Sequence, residues 1–393
     1  MFRQIARKSI LSLSIFSAVL FGNVETSAHK NDISNVETLF SASAVSIDSS
    51  TTDTVRTQSA DSLTDDSSAA AASASAKIRQ GSWGYDAIGA SEARAAGYTG
   101  KGVKIAILDT GISAASGLKV SGGVSTVDYT TSYNDDNGHG TFVAGIIGAK
   151  NKAFQGIAPD ASLYAVKVMD QDGNGSVDSL ARGLQWAIDN RMNVINLSLS
   201  FPEESQSIDQ LLQKASDLGI VVVAAAGNSG SADGSADTIQ YPAKSSLTIA
   251  VAAVDSNLAR AAFSATGSSV DLAAPGMGIV STSVSGKYKI GEGTSTAAPF
   301  VTAAVAVLKQ AYPDLTAAQI RSALQQSAVD LGASGRDSQY GYGLLSFDRL
   351  FGKNSVIAQA PASAAGSFSA KSTAVKSPAA RASQSVKASG STF

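Results

Sequence analysis

The sequence K-I-A-I-L-D-T-G-I, residues 104–112, is a short apolar run that ends in an aspartate and a glycine turn. Such a run predicts a buried strand at 103–108, and four similar runs follow at 163–168, 194–199, 220–225 and 247–253. They alternate with amphipathic stretches, for which we predict helices that begin near His139, Val177, Ser207, Ser295 and Thr316. This alternation predicts an α/β fold with a predominantly parallel central sheet flanked by helices on both faces.

The chain is divided by composition into four parts. Residues 1–28 have a basic start, an apolar run at 10–21 and small residues at 27 and 28, which is the layout of a secretory signal peptide. Residues 29–79 are rich in Ser, Thr and Asp and poor in large apolar residues, so we predict a disordered pro-segment or linker. The strand and helix pattern fills 80–351, which we interpret as one domain, and 352–393 is a basic, Ala/Ser-rich tail predicted to be flexible.

Composition also excludes several classes of function. The chain has no cysteine, which excludes disulfides, a thiolate nucleophile and a thiolate metal site. Its net charge of −2 gives no reason to expect binding to nucleic acid or to an anionic membrane. From the predicted signal peptide we expect a secreted protein, extracellular, at the cell surface or periplasmic, that meets a membrane only through this peptide. We also expect a monomer.

His139 is one of only two histidines in the chain, and the other, His29, directly follows the predicted signal peptide. His139 lies in N-G-H-G-T at 137–141, where glycines leave room on both sides of the imidazole. Histidine suits proton transfer near neutral pH, although a lone histidine is more often a structural residue.

Three other residues have flanking sequences that suit catalysis. Asp109 ends the first predicted strand, Asn228 follows the apolar run at 220–226, and Ser295 begins a predicted helix within G-E-G-T-S-T-A-A-P at 291–299. In open α/β sheets, ligands bind at the carboxyl edge, where Asp109 and Asn228 are expected. Taken singly, each residue also has an ordinary interpretation as a turn residue or a helix cap.

The four segments together resemble the subtilisin-like serine proteases, the subtilase family. The matching motifs are K-I-A-I-L-D-T-G-I at 104–112, N-G-H-G-T-F-V-A-G at 137–145, A-A-A-G-N at 224–228 and G-T-S-T-A-A-P at 293–299. The chain order Asp, His, Ser is the order of that family. The resemblance extends over roughly 82–351 and implies that 80–351 is a subtilisin-like peptidase domain.

The resemblance implies a role for each residue. His139 would take the proton of the Ser295 hydroxyl, Asp109 would orient the imidazole, and Asn228 with the Ser295 N–H would bind the oxyanion. The expected function is that of a secreted serine endopeptidase that forms an acyl-enzyme and has broad specificity for extended polypeptides. Candidate substrate-binding residues are Gly173, Asn174, Gly175, Ser198, Leu199, Ser200, Gly227 and Gln240.

The chain departs from the family pattern at two kinds of site. Ser200 and Gln240 stand where small residues are usual, which predicts a narrower or more polar specificity pocket. The segment 150–156 is shorter than the usual calcium loop and carries two lysines, so calcium is possible but a tight site there is not expected. We expect no required cofactor and no catalytic metal.

We predict self-cleavage near Gln80-Gly81, which would remove the pro-segment.

Two alternative functions are also compatible with the sequence. Asp109-Thr110-Gly111 matches the aspartic-protease signature, but no second such motif supplies the partner carboxylate. The fold could also serve a catalytically weak surface-binding module.

Overall fold

The computed structural model describes residues 81–150, 155–352 and Ser355. The predicted signal peptide, the pro-segment and nearly all of the basic tail lie outside these residues. In the part of the chain that is described, no helix is both long and apolar enough to cross a bilayer.

The centre of the fold is a seven-stranded sheet in which all neighbouring strands are parallel. Its strands are β1 (Lys104–Asp109), β2 (Val120–Ser125), β3 (Ser162–Lys167), β4 (Val194–Leu197), β5 (Val221–Ala225), β6 (Ile249–Val254) and β7 (Leu272–Pro275). They lie in the order β2-β3-β1-β4-β5-β6-β7. Two further strands, β8 (Ile279–Thr282) and β9 (Tyr288–Gly291), form an antiparallel hairpin.

All the predicted helix starts are confirmed to within one residue. The α-helices of the described residues are α1 (Trp83–Ala87), α2 (Ser91–Ala95), α3 (His139–Gly148), α4 (Val177–Asp189), α5 (Gln206–Asp217), α6 (Thr294–Ala311), α7 (Ala317–Ser327) and α8 (Phe347–Phe351). A 3₁₀ turn spans Ala114–Ser116. Helices α1, α2 and α8 bury apolar side chains against the same core, so they belong to the same domain.

The two faces of the sheet carry separate apolar layers, because successive side chains of a strand point to opposite faces. In β1, Ile105 and Ile107 pack in the layer that contains α3 and α6. Ala106 and Leu108 pack in the layer that contains α4 and α5. The predicted α/β fold, with helices on both faces of a parallel sheet, is confirmed.

The fourth strand is shorter than predicted, since it ends at Leu197 and not at residue 199. After Leu197 the Ser198 hydroxyl turns toward α6, and Phe201 pairs with Tyr241 outside the sheet. Strand β2 was missed because it is a half-exposed edge strand, with Gly122 and Gly123 in place of an apolar run. The hairpin β8–β9 and strand β7 were also not predicted.

The direction of the strand order changes at β1. From β1 the chain goes to the edge strand β2, returns to β3 beside β1, and then crosses to β4 on the other side of β1, from where it proceeds outward to β7. Ligands of open α/β sheets bind beyond the carboxyl ends of the strands at such a point. Asp109 is the last residue of β1 and therefore lies at this position.

Candidate active site

Asp109 and His139 form a hydrogen-bonded pair at the carboxyl edge of the sheet. Asp109 is fully buried, and its Oδ1 lies 2.8 Å from His139 Nδ1. The same oxygen accepts the Thr110 N–H at 2.7 Å, which fixes the carboxylate. The His139 side chain remains 32% exposed. Nδ1 of His139 is therefore hydrogen-bonded to the Asp109 carboxylate, and Nε2 is the ring nitrogen available for proton transfer.

The approach of α3 to β1 depends on Gly140. A Cβ at this position would lie 2.1 Å from the Gly111 carbonyl oxygen, a distance that no side chain could accept without displacing the backbone, and 3.1 Å from Asp109 Cβ. The glycine after His139 therefore permits the first turn of the helix to sit directly on the turn that follows Asp109.

Burial and charge act in opposite directions on the pKa of His139. Loss of solvation lowers this pKa, whereas the charge of Asp109, its hydrogen bond and the charge of Asp135 raise it. Lys289 opposes protonation weakly. The balance raises the pKa of His139 above its ordinary value.

Asp135 is a buried carboxylate that the sequence analysis missed. Its Oδ1 accepts the Thr110 hydroxyl and the Gly138 N–H, each at 2.8 Å. Its Oδ2 accepts the N–H of Thr141 at 2.9 Å and the Thr141 hydroxyl at 2.6 Å. Asp135 thus caps the start of α3 and holds it to the turn after Asp109. An acidic residue just before a predicted helix start is a signal that could have identified it.

Ser295 and Asn228 meet on either side of Gly293, the residue that precedes α6. The point where a Cβ of residue 293 would lie is 3.0 Å from Ser295 Oγ and 3.4 Å from Asn228 Nδ2. Gly293 has a φ of 135°, a conformation that side chains disfavour. Glycine therefore keeps open the point between the hydroxyl and the amide that a Cβ would occupy.

The orientation of the Asn228 amide is fixed by Thr294, another residue that the sequence analysis missed. The N–H and the hydroxyl of Thr294 both donate to Asn228 Oδ1 at 2.9 Å. Because the carbonyl end is held, the Nδ2 end is available as a donor beside Ser295.

The Asp109–His139 pair lies beyond β1, and the Ser295–Asn228 pair lies beyond β4 and β5. Ser295 is held through its carbonyl oxygen by Ser198, the residue after β4, and β4 lies next to β1 in the sheet. Helices α3 and α6, which begin at His139 and Thr294, also pack against each other. The structure therefore gathers Asp109, His139, Asn228 and Ser295 at one edge.

The subtilase family model matches residues 100–343. The chain belongs to the subtilase family. It is 45% identical to subtilisin DY of Bacillus licheniformis over 269 residues, which cover 68% of this chain and 97% of that protein. It is also 45% identical to subtilisin Savinase of Lederbergia lenta over 265 residues, covering 67% of this chain and 96% of the relative. A third relative, minor extracellular protease Epr of Bacillus subtilis, is 45% identical over 267 residues, 67% of this chain but only 41% of that longer protein.

Membership of this family makes the chain a serine endopeptidase that acts on polypeptides. It decides against the aspartic protease, whereas the catalytically weak surface-binding module is tested by the activity measurements proposed below. The Asp-Thr-Gly motif agrees with this, since Asp109 is bonded to His139 and not to a second carboxyl group.

The candidate substrate-binding residues of this subtilase lie in turns at the same edge of the sheet. The turn after β3 contains Gly173, Asn174 and Gly175. The turn after β4 contains Ser198, Leu199 and Ser200, and Gly227 follows β5. Gln240 packs on Gly227, since a Cβ added to Gly227 would lie 2.7 Å from Gln240 Oε1. Its side chain accepts the Ser200 hydroxyl at 2.5 Å and donates to Ser229 Oγ at 3.3 Å. Gln240 thus bridges the segments after β4 and β5.

The segment predicted to lack a tight calcium site is only partly described. Lys150 pairs with Gln155 across it and forms an ion pair with Asp160, while residues 151–154 lie outside the described part. Among the residues that the structure does describe, no group of three His, Cys, Asp or Glu side chains could hold a metal ion. The expectation that segment 150–156 holds no tight calcium site stays a prediction.

Proposed function

We propose that this subtilase is a secreted, monomeric endopeptidase that cleaves extended polypeptides through Asp109, His139 and Ser295. The observation that carries the proposal is the 2.8 Å hydrogen bond between Asp109 and His139 at the carboxyl edge of the sheet, where Ser295 lies in the first turn of α6. In this mechanism His139 removes the Ser295 proton, the alkoxide attacks the scissile carbonyl, and the imidazolium then protonates the leaving amine. Water hydrolyses the resulting acyl-enzyme by the same proton transfers.

Charge on the tetrahedral intermediate would be held by two donors, Asn228 Nδ2 and the Ser295 N–H. The opening beside Gly293, within 3.4 Å of Asn228 Nδ2, is a suitable place for the oxyanion. Because Thr294 already orients the Asn228 amide before the substrate binds, little reorganisation is needed when negative charge develops on the oxyanion.

The activity of this protein should depend on pH through His139. The general base must be neutral, so kcat/KM should fall as the pH drops through the pKa of His139. Since Asp109 and Asp135 raise that pKa, the midpoint of the acid limb should lie above the ordinary imidazole value of 6.5. A pH profile of kcat/KM on a peptide without titratable groups measures it.

Lys289→Gln provides a control for this profile. The substitution removes a positive charge that lowers the pKa of His139, so the midpoint should move slightly to higher pH. If the midpoint of the acid limb in the parent were at or below 6.5, Asp109 and Asp135 would not be raising the pKa of His139 in the free enzyme, contrary to the prediction.

We propose that the substrate lies as an added strand along the turns after β3 and β4 and pairs with them through its backbone. Pairing through the backbone is largely independent of sequence, which favours broad specificity. The side chain on the acyl side of the scissile bond would enter between 198–200 and 227–229. Gln240 spans this gap, so we propose that it closes the pocket to large side chains.

Gln240→Gly should open this pocket. We expect kcat/KM for a peptide with phenylalanine at that position to rise about tenfold relative to one with alanine, the scale of a change in pocket size. The measurement is the ratio of the two kcat/KM values in parent and variant.

Gln240→Leu is the matched control, because it keeps the bulk of the side chain and removes its polar end. The phenylalanine-to-alanine ratio should change much less in this variant than in Gln240→Gly. An unchanged ratio in Gln240→Gly would place the specificity pocket elsewhere.

We further propose that the enzyme releases its own amino-terminal segment near Gln80-Gly81. Gly81 packs closely on Val280 of β8, and the Trp83 indole N–H donates to the Met277 carbonyl at 3.1 Å, so a chain that began at Gly81 would be anchored from its first residues. Amino-terminal sequencing should find a start near Gly81 in the parent and a retained pro-segment in Ser295→Ala. The same start in both proteins would mean that another protease makes the cut.

Secretion is supported by the predicted signal peptide and by the extracellular relative Epr. The function as a whole is tested by mass spectrometry of a peptide library digested with the purified protein. The proposal predicts internal cleavages with weak sequence preference in the parent and none with Ser295→Ala. Cleavage only at chain ends, or equal cleavage by both proteins, would contradict it.

A further inference from the structure

A buried chain of hydrogen bonds runs beneath the proposed nucleophile. The Thr302 hydroxyl donates to Asn196 Oδ1 at 2.7 Å, Asn196 Nδ2 donates to Ser198 Oγ at 2.9 Å, and the Ser198 hydroxyl donates to the Ser295 carbonyl oxygen at 2.7 Å. Thr302 and Asn196 are completely buried, and Ser198 is 3% exposed. The chain thus begins and ends on α6 and passes through β4 between.

The carbonyl oxygen of Ser295 needs a donor from outside its helix. In an α-helix this oxygen would accept the N–H of the residue four positions later. That residue is Pro299, which lies inside α6 and has no N–H. The Ser198 hydroxyl supplies the donor that the proline removes, and so ties the backbone of Ser295 to the strand next to β1.

Thr302 determines which way the hydrogen bonds run. A carboxamide oxygen only accepts and its nitrogen only donates, so Asn196 can donate to Ser198 only while its Oδ1 faces Thr302. If Thr302 had no hydroxyl, Asn196 Oδ1 would be buried without a donor, which is costly. Without this donor nothing holds the Asn196 amide in the orientation that donates to Ser198, so the Ser198 hydroxyl is no longer fixed toward the Ser295 carbonyl.

We infer that Thr302 and Asn196 are positioning residues for Ser295. Acting through Ser198, they hold the Ser295 peptide so that its hydroxyl and its N–H face the opening beside Gly293. Neither residue touches the substrate. The inference rests on the proposed role of Ser295 as the nucleophile.

The test compares Thr302→Val, which keeps the shape of the side chain and removes its hydroxyl, with Thr302→Ser, which keeps the hydroxyl. Active sites are counted with a serine-directed phosphonyl fluoride, so that kcat refers only to folded enzyme. We expect kcat to fall about tenfold in Thr302→Val, with KM within about twofold of the parent, and kcat to be restored in Thr302→Ser.

Other outcomes overturn the inference. Equal kcat in all three proteins, an equal loss in both variants, or a change confined to KM would show that Thr302 only packs the core. A parent that is active but is not labelled at Ser295 would instead refute the proposed function, so the two failures can be told apart.

Discussion

The Ser295→Ala protein is expected to cleave casein about 10⁶-fold more slowly than the parent, a magnitude established with subtilisin, a member of this family. Alanine removes the hydroxyl that attacks the scissile carbonyl and leaves His139 with no proton to accept. The rest of the site stays, since Ser295 is bonded to Ser198 through its backbone and the Asn228 amide is held by Thr294. The residual rate should therefore still exceed that of water alone.

The measurement is casein hydrolysis by purified Ser295→Ala, with unfolding followed in parallel to show that the fold is retained. Ser268→Ala, at an exposed serine in the turn before β7, is the matched control and should keep the parent rate. Substantial casein cleavage by Ser295→Ala would contradict the nucleophile assignment.

Asp109→Asn is expected to lower kcat about 10⁴-fold, the loss known for the corresponding change in a serine protease of another fold. The Asp109 carboxylate can only accept, so it holds the proton of His139 on Nδ1. An asparagine can present its NH₂ group to the ring and stabilise the opposite tautomer, in which Nε2 carries the proton and cannot take one from Ser295. The loss comes from proton placement, because the two side chains have nearly the same shape.

A second readout separates this effect from misfolding. The charge of Asp109 raises the pKa of His139, so its removal should move the acid limb of the residual activity to lower pH. Asp160→Asn, which removes a surface charge paired with Lys150, should leave both kcat and the limb unchanged. A limb that does not move in Asp109→Asn would mean that His139 is not coupled to this carboxylate.

Much of the fold could be predicted because local sequence and tertiary structure agree there. Strands β1, β3, β5 and β6 are buried and appear as apolar runs, and α4 and α5 have one apolar face. Strand β2 could not be found this way, since its edge position leaves it half-exposed and glycine-rich. The end of β4 depends on a contact with α6, far along the chain, and no local pattern specifies it.

The catalytic candidates were predictable because each lies within an extended motif. Among the residues that hold them, only Asp135 has a sequence signal, since it precedes a predicted helix start. Thr294 and Thr302 are ordinary polar residues in sequence, and their roles follow from burial beside a partner. The effect of Pro299 shows the same limit, because its missing N–H matters only once Ser198 is known to face Ser295.

The central claim is that Ser295 is a nucleophile activated by His139. It is tested most directly by treating the parent and His139→Ala with a serine-directed phosphonyl fluoride and locating the adduct by peptide mass spectrometry. The account predicts one adduct per parent molecule, on Ser295, formed at a rate that falls with activity as the pH is lowered, and almost none in His139→Ala. Labelling of a different residue, or equal labelling of both proteins, would contradict it.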